Sequence, residues 1–477
     1  MVTSHRTLYN GYFSTEITHA PRAGGRGRGV RTPSSPLLSS SRAHTMEDRS
    51  AVDNHAFAVA ILHKAVTADE TGNSDQALKL YQEGIEKLLA AVHEEQSEAR
   101  QAEMRTRAMQ CLDRAEELRR INRIEKGAHR TPHSPHGTCM PRRRLHGLFS
   151  SSSTSEYPPS ASEPEQLWLR TADGRNRSAL LVVPDGEIGM RGRPLVVMLH
   201  GAGGSSRQTL GTSRWDLLAK CEGFVVAVPD GTAPDESRAA RFVGNPQTWN
   251  SCAGSSLIAG ERSAEARGVD DVGFLVALIA EVGRRTRIDL RRVFLAGHSN
   301  GAGMAYKLAS ERPELIAAIG VVAGRFPAAR IEGLSSPVSL LAICGERDRL
   351  APLDGGAVSV GSDTGMSRPM RTYASEWARA NGLADEPRSL REDAAVSALA
   401  WGPNAAGVEV RWLVVKGHGH AWPCHAEQTP RSWLAGLVTS PLMGPTSHAL
   451  DATSEMWAFF KIVADQKHEY AAAVTVT

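Results

Sequence analysis

The sequence of 477 residues has no apolar run near the roughly 18 residues that a membrane-spanning helix needs. A membrane span is therefore not expected. Its first residues lack the apolar stretch of a secretory signal, so export by that route is not expected either. A surplus of one charge is also lacking. The 55 Lys+Arg against 52 Asp+Glu leave a formal net charge of +3, without the positive excess of a nucleic-acid binder. Six cysteines, Cys111, Cys139, Cys221, Cys252, Cys344 and Cys424, show no CxxC or other metal-ligand spacing. That argues against a zinc site and leaves buried thiols as the expectation. Acidic residues are nearly missing from 1–45, where Glu16 stands alone among Ser, Arg, Gly and Pro. This composition reads first as a disordered leader and second as a transit peptide, with Met46 a second candidate start.

What is present falls into regimes. A leader over 1–50 is followed by a helical block over 51–125, and a Ser-, Pro-, Arg- and His-rich linker over 126–164 leads to alternating strands and helices over 165–465, with a tail over 466–477. The helical block predicts three helices. The first carries Phe57, Ile61, Ala65 and Ala68 at helical spacing and ends at Gly72. The second starts at the N-cap Asn73, with Gln76 three residues on, and presents Ala77, Tyr81, Ile85, Leu88 and Val92 on one face. The third presents Met104, Ala108, Cys111, Leu112, Ala115 and Leu118. Helices this short must bury their stripes against one another, as a bundle.

Beyond Gln166, apolar runs recur: "LWLRT", "SALLVV", "PLVVMLH", "FVVAVPD", "RVFLAG", "AAIGVVAG", "VSLLAICG" and "VEVRWLVVKG". Helical patterns separate most of the later ones. This predicts an α/β class, with a mostly parallel sheet of about eight strands covered on both faces, preceded by the separate three-helix bundle. Such a sheet places its chemistry at the carboxyl ends of its strands.

The fifth run leads into "GHSNG", a G-x-S-x-G pattern with Ser299 at its centre, and a helical pattern follows at once. A serine on so sharp a strand-to-helix turn needs glycine neighbours, and the turn lifts its hydroxyl clear of the sheet. The N–H of Asn300 is then one candidate oxyanion donor. The third run ends in "HGAGG", whose backbone supplies the second donor from Ala202 or Gly201. The seventh run ends at Asp348 and the eighth runs into "KGHGHAWP", which holds His418 and His420. The order Ser299, Asp348, His420 suits nucleophile, orienting acid and general base. Asp354 is a competing acid that follows its strand less closely, and Asp270 and Asp271 read as helix caps.

Two resemblances sharpen this reading. "AVTADETGNSDQALKLYQEGIEKLL" with "CLDRAEELRR" resembles the microtubule-interacting and trafficking (MIT) domain, a three-helix bundle that binds helical peptides of endosomal sorting (ESCRT) subunits. The resemblance places Leu112 and Glu116 in the peptide groove, with Cys111 where the family usually has tyrosine. A helical hairpin that serves packing alone is the alternative. "HGAGG", "TWNS", "VDDVGFL", "RVFLAGHSNGAGMAYKLASERP", "CGERDRLAPLDGG", "GHGHAWP" and "EMWAFF" resemble the polyhydroxybutyrate depolymerase-type esterases, a group that includes feruloyl and acetylxylan esterases. That resemblance implies an α/β-hydrolase fold and ester hydrolysis through an acyl-serine, with a small-molecule or polymeric ester as substrate and no metal or organic cofactor. The family usually has glycine at position 418 and histidine at 420, which makes His420 the base and His418 its neighbour.

Relatives often read "SCCG" and "NGC" where this chain has Ala253 and Leu383. Loss of those cysteines fits a reducing compartment. The expectation is a cytoplasmic, endosome-associated protein, with secretion, as in many relatives, the alternative. Trp249 and Trp422 are candidates for the substrate pocket or for core packing, and the segment between Asp230 and Val269 for a lid or substrate loop. A trafficking adaptor that keeps the hydrolase fold only as a scaffold is the rival function.

Overall fold

The computed structural model describes residues 46–120 and 163–476, apart from scattered positions within 96–120 and the segments 242–244, 252–259, 326–332, 361–362 and 426–442. The expected leader over 1–45, most of the linker, Ala253 and Glu116 lie outside the described residues.

In the helical block, Met46–Glu70 and Ser74–Glu94 form two helices, and the described residues of 100–119 are helical too. The first helix begins at Met46, inside the stretch expected to be leader. Gly72 adopts φ 77, which no L side chain takes readily, and the chain turns there. Asn73 then caps the second helix: its Oδ1 accepts from the Gln76 N–H and its Nδ2 donates to Gln76 Oε1. Ala65, Tyr81, Ile85, Leu88, Ala108 and Ala115 fill the core between the helices. Phe57, expected on the buried stripe, is 55% exposed, and Ala58 takes the inward place beside it. Arg114 donates two hydrogen bonds to the Asp69 carboxylate, which also accepts from the Tyr81 hydroxyl, so one partly buried acid ties all three segments together.

The second region is built on one ten-stranded sheet. Its strands are β1 (Glu165–Arg170), β2 (Asn176–Val182), β3 (Arg193–Leu199), β4 (Val225–Pro229), β5 (Ile288–His298), β6 (Ala318–Val322), β7 (Ser339–Gly345), β10 (Arg388–Glu392), β11 (Val396–Trp401) and β12 (Val410–Val415). A separate hairpin pairs β8 (Gly356–Val360) with β9 (Asp363–Ser367). In space the order is β1-β2-β4-β3-β5-β6-β7-β12-β11-β10. The six strands from β4 to β12 run parallel, whereas β2 and β1 on one side and β11 and β10 on the other continue antiparallel.

The eight expected runs are therefore all strands, and the sheet has two more. β10, "RSLRE", is exposed along its whole length and β11, "VSALAW", is interrupted by Ser397 and Ala398 and only half-buried at alternate positions, so neither shows the continuous apolar run of a strand covered on both faces. Parallel strands β3, β4, β6 and β7 are buried almost throughout, as helix-covered strands must be. The last helix, Ala452–Val476, closes one face and continues through the stretch set apart as a tail. Its Trp457 stacks on Phe224 at 3.9 Å and its Phe460 on Phe294 at 4.6 Å. Gly320 on β6 makes room for it, since a Cβ there would lie 2.6 Å from the Met456 sulfur. Of the cysteines, Cys111, Cys344 and Cys424 are buried free thiols as expected, but Cys221 is exposed.

Candidate active site

β5 ends at His298 and the helix Asn300–Glu311 begins one residue later, leaving Ser299 alone between them at φ 52, ψ −116. That conformation is strained for a residue with a Cβ and is held by its surroundings. The Ser299 N–H donates to the Val322 carbonyl at 2.9 Å. Gly297 and Gly301 allow the turn: a Cβ on Gly297 would stand 2.6 Å from the Gly301 carbonyl oxygen, and one on Gly301 would run into the carbonyls of Leu199 and His200. Strand β3 and the helix thus meet backbone to backbone under the serine.

The loops after β7 and β12 bring two further side chains to it. The Ser299 hydroxyl donates to His420 Nε2 at 2.9 Å, and His420 Nδ1–H donates to Asp348 Oδ2 at 2.7 Å. Asp348 and His420 are each 4% exposed. Burial by itself would raise the Asp348 carboxyl, but the His420 imidazole and the Ala351 and Leu350 N–H groups together hold it below the usual carboxylate range. Both N–H groups donate to Asp348 Oδ1 at 2.8 Å. The carboxylate is therefore fixed on one oxygen by backbone and on the other by imidazole. Asp354, the competing acid, is exposed on the turn before β8.

Facing Ser299 is the loop of His200, Gly201, Ala202, Gly203 and Gly204. A Cβ added to Gly201 would come within 3.4 Å of the Ser299 Cβ, so this backbone approaches the hydroxyl closely because Gly201 has no side chain. The loop is pinned from within, where Gly204 N–H donates to Gly201 O at 2.9 Å, and from outside, where Gly203 N–H donates to Gln247 O at 2.7 Å. His200, wholly buried, donates from Nδ1 to the Gly201 carbonyl and accepts at Nε2 from the Gly231 N–H, both at 2.8 Å. Burial lowers its pKa, which keeps the ring neutral in this two-sided role. Asn300, at the first position of the helix, is buried, and its side chain bonds the backbone of Trp249.

The two tryptophans are not on a pocket wall. Trp249 is 1% exposed, with Nε1–H donating to the His200 carbonyl at 2.9 Å and its ring 5.0 Å from that imidazole. Trp422 is buried too and donates to Thr453 Oγ1 at 3.2 Å. Both pack behind the site and are bonded to the fold, in line with core packing, the second of the two alternatives for them. Asp270 caps the helix Asp271–Arg285 by accepting from the Gly273 N–H, as expected. Asp271 does not cap. It is buried against Arg177 at 2.6 Å and accepts from the Asn250 N–H at 2.7 Å. The segment after Asp230 is described in part, and there Thr232 and Thr248 bridge as antiparallel partners.

His418 is buried beside the relay and has both nitrogens occupied. Its Nε2–H donates to the Ala421 carbonyl at 3.0 Å and its Nδ1 accepts from the Ser447 N–H at 2.9 Å. A metal pair with His420 would have to break bonds on both rings. The motif singles out no role for His298, the residue before the serine, yet its Nε2–H donates to the His420 carbonyl at 2.7 Å. The signal available was its place, the last residue of a central parallel strand. In the helical block Leu112 is 4% exposed and packs into the bundle core, and Glu116 lies outside the described residues.

The family described as esterase PHB depolymerase matches residues 177–381, and the MIT (microtubule interacting and transport) domain matches residues 56–120. A putative esterase, NocK, of Nocardia uniformis subsp. tsuyamanensis is 30% identical over 269 residues, a stretch that covers 52% of this chain and 72% of that protein. Feruloyl esterase B of Piromyces equi is 25% identical over 254 residues, 51% of this chain and 42% of the other. Among solved structures, an acetyl xylan esterase from Aspergillus awamori aligns with a TM-score of 0.38 at 16% identity, over 55% of this chain and 96% of that one. Family match and relatives fall on the region whose sheet carries Ser299, and with them the chain is placed as a carboxylic-ester hydrolase of the PHB depolymerase esterase family, on an α/β-hydrolase fold, that also bears an MIT domain.

Proposed function

We propose that the chain hydrolyses carboxylic esters through a covalent acyl-serine at Ser299, with His420 as general base and then general acid and Asp348 as the group that orients it. The observation that carries this reading is the continuous relay Ser299 Oγ to His420 Nε2 at 2.9 Å and His420 Nδ1 to Asp348 Oδ2 at 2.7 Å, on a strained turn. As the serine oxygen adds to the ester carbonyl, its proton passes to His420 Nε2. The imidazolium is then stabilised by Asp348. Charge on the carbonyl oxygen is met by the backbone N–H of Asn300 and that of Ala202 or Gly201, at a helix start and a glycine-rich approach. Collapse expels the alcohol with the proton from His420, and a water repeats the sequence to release the acid and restore Ser299. No cofactor enters these steps.

Relatives include a feruloyl esterase and an acetylxylan esterase, so feruloyl esters and acetylated xylan are the first substrates to try. The MIT domain, over about 51–125, would recruit the enzyme by binding a helical peptide of the ESCRT type, through a groove that includes Leu112 and Glu116. Recruitment of that kind would put its work in the cytoplasm at endosomal membranes, with secretion the alternative.

Hydrolysis of a short-chain nitrophenyl ester by wild type and Ser299→Ala tests the reading, together with a fluorophosphonate probe that labels only a nucleophilic serine. Loss of turnover by about a millionfold and loss of labelling are expected. Full activity in Ser299→Ala would refute the acyl-serine and leave the adaptor role standing.

A further inference from the structure

The adjacent residues His298 and Ser299 both hold His420, at its two ends. Ser299 Oγ meets the ring at Nε2, 2.9 Å away, and His298 Nε2–H donates to the main-chain carbonyl of the same residue at 2.7 Å. These two bonds and the single peptide link between 298 and 299 close a small ring through the base. The distance from serine to imidazole is then set locally, although the two residues are 121 positions apart in the chain. His420 N–H is fixed as well, by the Met443 carbonyl, and the next carbonyl, Ala421, accepts from His418. Two imidazoles therefore grip two successive carbonyls of the loop that carries the base.

His298 also meets the third wall. A Cβ on Gly201 would stand 3.0 Å from His298 Nδ1, so the ring fills the space between the turn and the oxyanion loop. Trp422 backs it edge-on, with ring centres 6.4 Å apart at 86°. Because its Nε2 faces a carbonyl oxygen, that nitrogen must carry the hydrogen, and the neutral ring has Nδ1 bare. Burial first, and the His420 imidazole second, push His298 down to about 4, which keeps it in this neutral form. A second positive charge 5.3 Å from the His420 ring would oppose the imidazolium that forms during turnover.

We propose that His298 is a positioning residue that sets the reach of His420 to Ser299 by clamping the His420 carbonyl to the turn that carries the nucleophile. The inference rests on the acyl-serine reading above. It concerns no contact with substrate, so its loss should lower kcat and leave KM nearly unchanged.

The test uses the full-length protein as wild type, His298→Phe, His298→Gln and His298→Asn, with Ser299→Ala as control. Phe keeps the ring and removes the donor. Gln carries an N–H as far out as Nε2, and Asn does not reach. A misplaced base should cost about 10- to 100-fold in kcat with KM within about threefold in Phe and Asn, with Gln restored to within about threefold of wild type. Fluorophosphonate labelling of Ser299 should slow in parallel while still reaching one label per chain. Wild-type kcat in both Phe and Asn, a raised KM at unchanged kcat, or Gln no better than Asn would overturn the proposal. If Phe proves unfolded by circular dichroism, the contrast between Gln and Asn decides alone. Absence of labelling in wild type, or full activity in Ser299→Ala, would sink the acyl-serine instead, whereas a labelled wild type with unaffected His298 variants sinks only the clamp.

Discussion

Asn300 and Trp249 are joined by two hydrogen bonds that run in opposite directions. The Trp249 N–H donates to Asn300 Oδ1 at 2.7 Å, and Asn300 Nδ2 donates back to the Trp249 carbonyl at 3.2 Å. One side-chain amide thus mimics a strand partner for a peptide in the wall behind the glycine-rich loop that faces Ser299. Trp249 in turn holds the His200 carbonyl through its indole. Asn300→Ala would leave a buried N–H and carbonyl to find other partners, at about 1–3 kcal/mol for each group that fails. Urea unfolding should show that loss, and kcat should fall with it because the helix start carries a proposed oxyanion donor.

His418 and His420 should separate cleanly. His420→Ala removes the proposed base and is expected to abolish ester hydrolysis. His418→Ala removes two hydrogen bonds that tie the loop to Ala421 and Ser447, so it should lower stability by about 1–3 kcal/mol and keep most of kcat. Thermal unfolding and steady-state kinetics on both variants check this, and a dead but stable His418→Ala would contradict it.

Asp270 and Asp271, neighbours in sequence, should differ in weight. Asp270→Ala loses a cap, at about 1 kcal/mol. Asp271→Ala leaves Arg177 buried without its carboxylate, and breaking such a pair costs about 3–5 kcal/mol. Equal losses in denaturant unfolding would mean that the Arg177 contact contributes nothing beyond a cap.

Acid should weaken the fold in two stages. His200 and His298 have folded pKa values depressed below the unfolded value of about 6.5, so the unfolded chain binds more protons as pH drops beneath it. Their contribution is complete above about pH 6.5 and declines from there toward the His298 value of about 4. Asp348 is depressed as well, and its contribution is lost below the ordinary carboxylate value of about 4. Melting temperature across this range should fall as pH falls, and the first stage should be shallower in His298→Gln.

Gly301→Ala places a methyl group against the backbone of Leu199 and His200. Carbonyl oxygens cannot rotate away as a side chain can, so the strand and helix must part. Loss of both folding stability and ester hydrolysis is expected, and a wild-type melting curve would show that the two backbones are not packed this closely.

Much of the candidate site could be read in advance because the residues proposed for it stand at strand ends. Ser299, Asp348 and His420 each follow a run of Val, Ile and Leu, and a parallel sheet brings such ends to one rim. The tryptophans could not be assigned that way. Whether an indole faces a cleft or a helix depends on packing from Thr453 and His200, which lie far off in sequence. Asp271 was hidden for the same reason, since its partner Arg177 sits 94 residues earlier. Phe57 shows the limit of helical periodicity: two adjacent apolar residues, Phe57 and Ala58, offer two phases, and the interhelix spacing selected the smaller.

Strand β10 ends the sheet with Arg388, Ser389, Leu390, Arg391 and Glu392 all exposed and a register shift between Ser389 and Arg391. An open edge of regular, apolar strand would offer its free N–H and carbonyl groups to the edge of another molecule, and chains could then add without limit. A bulged last strand with every side chain exposed makes that pairing irregular. Through the β10 edge, at least, copies crowded together are thus kept from extending one another's sheets.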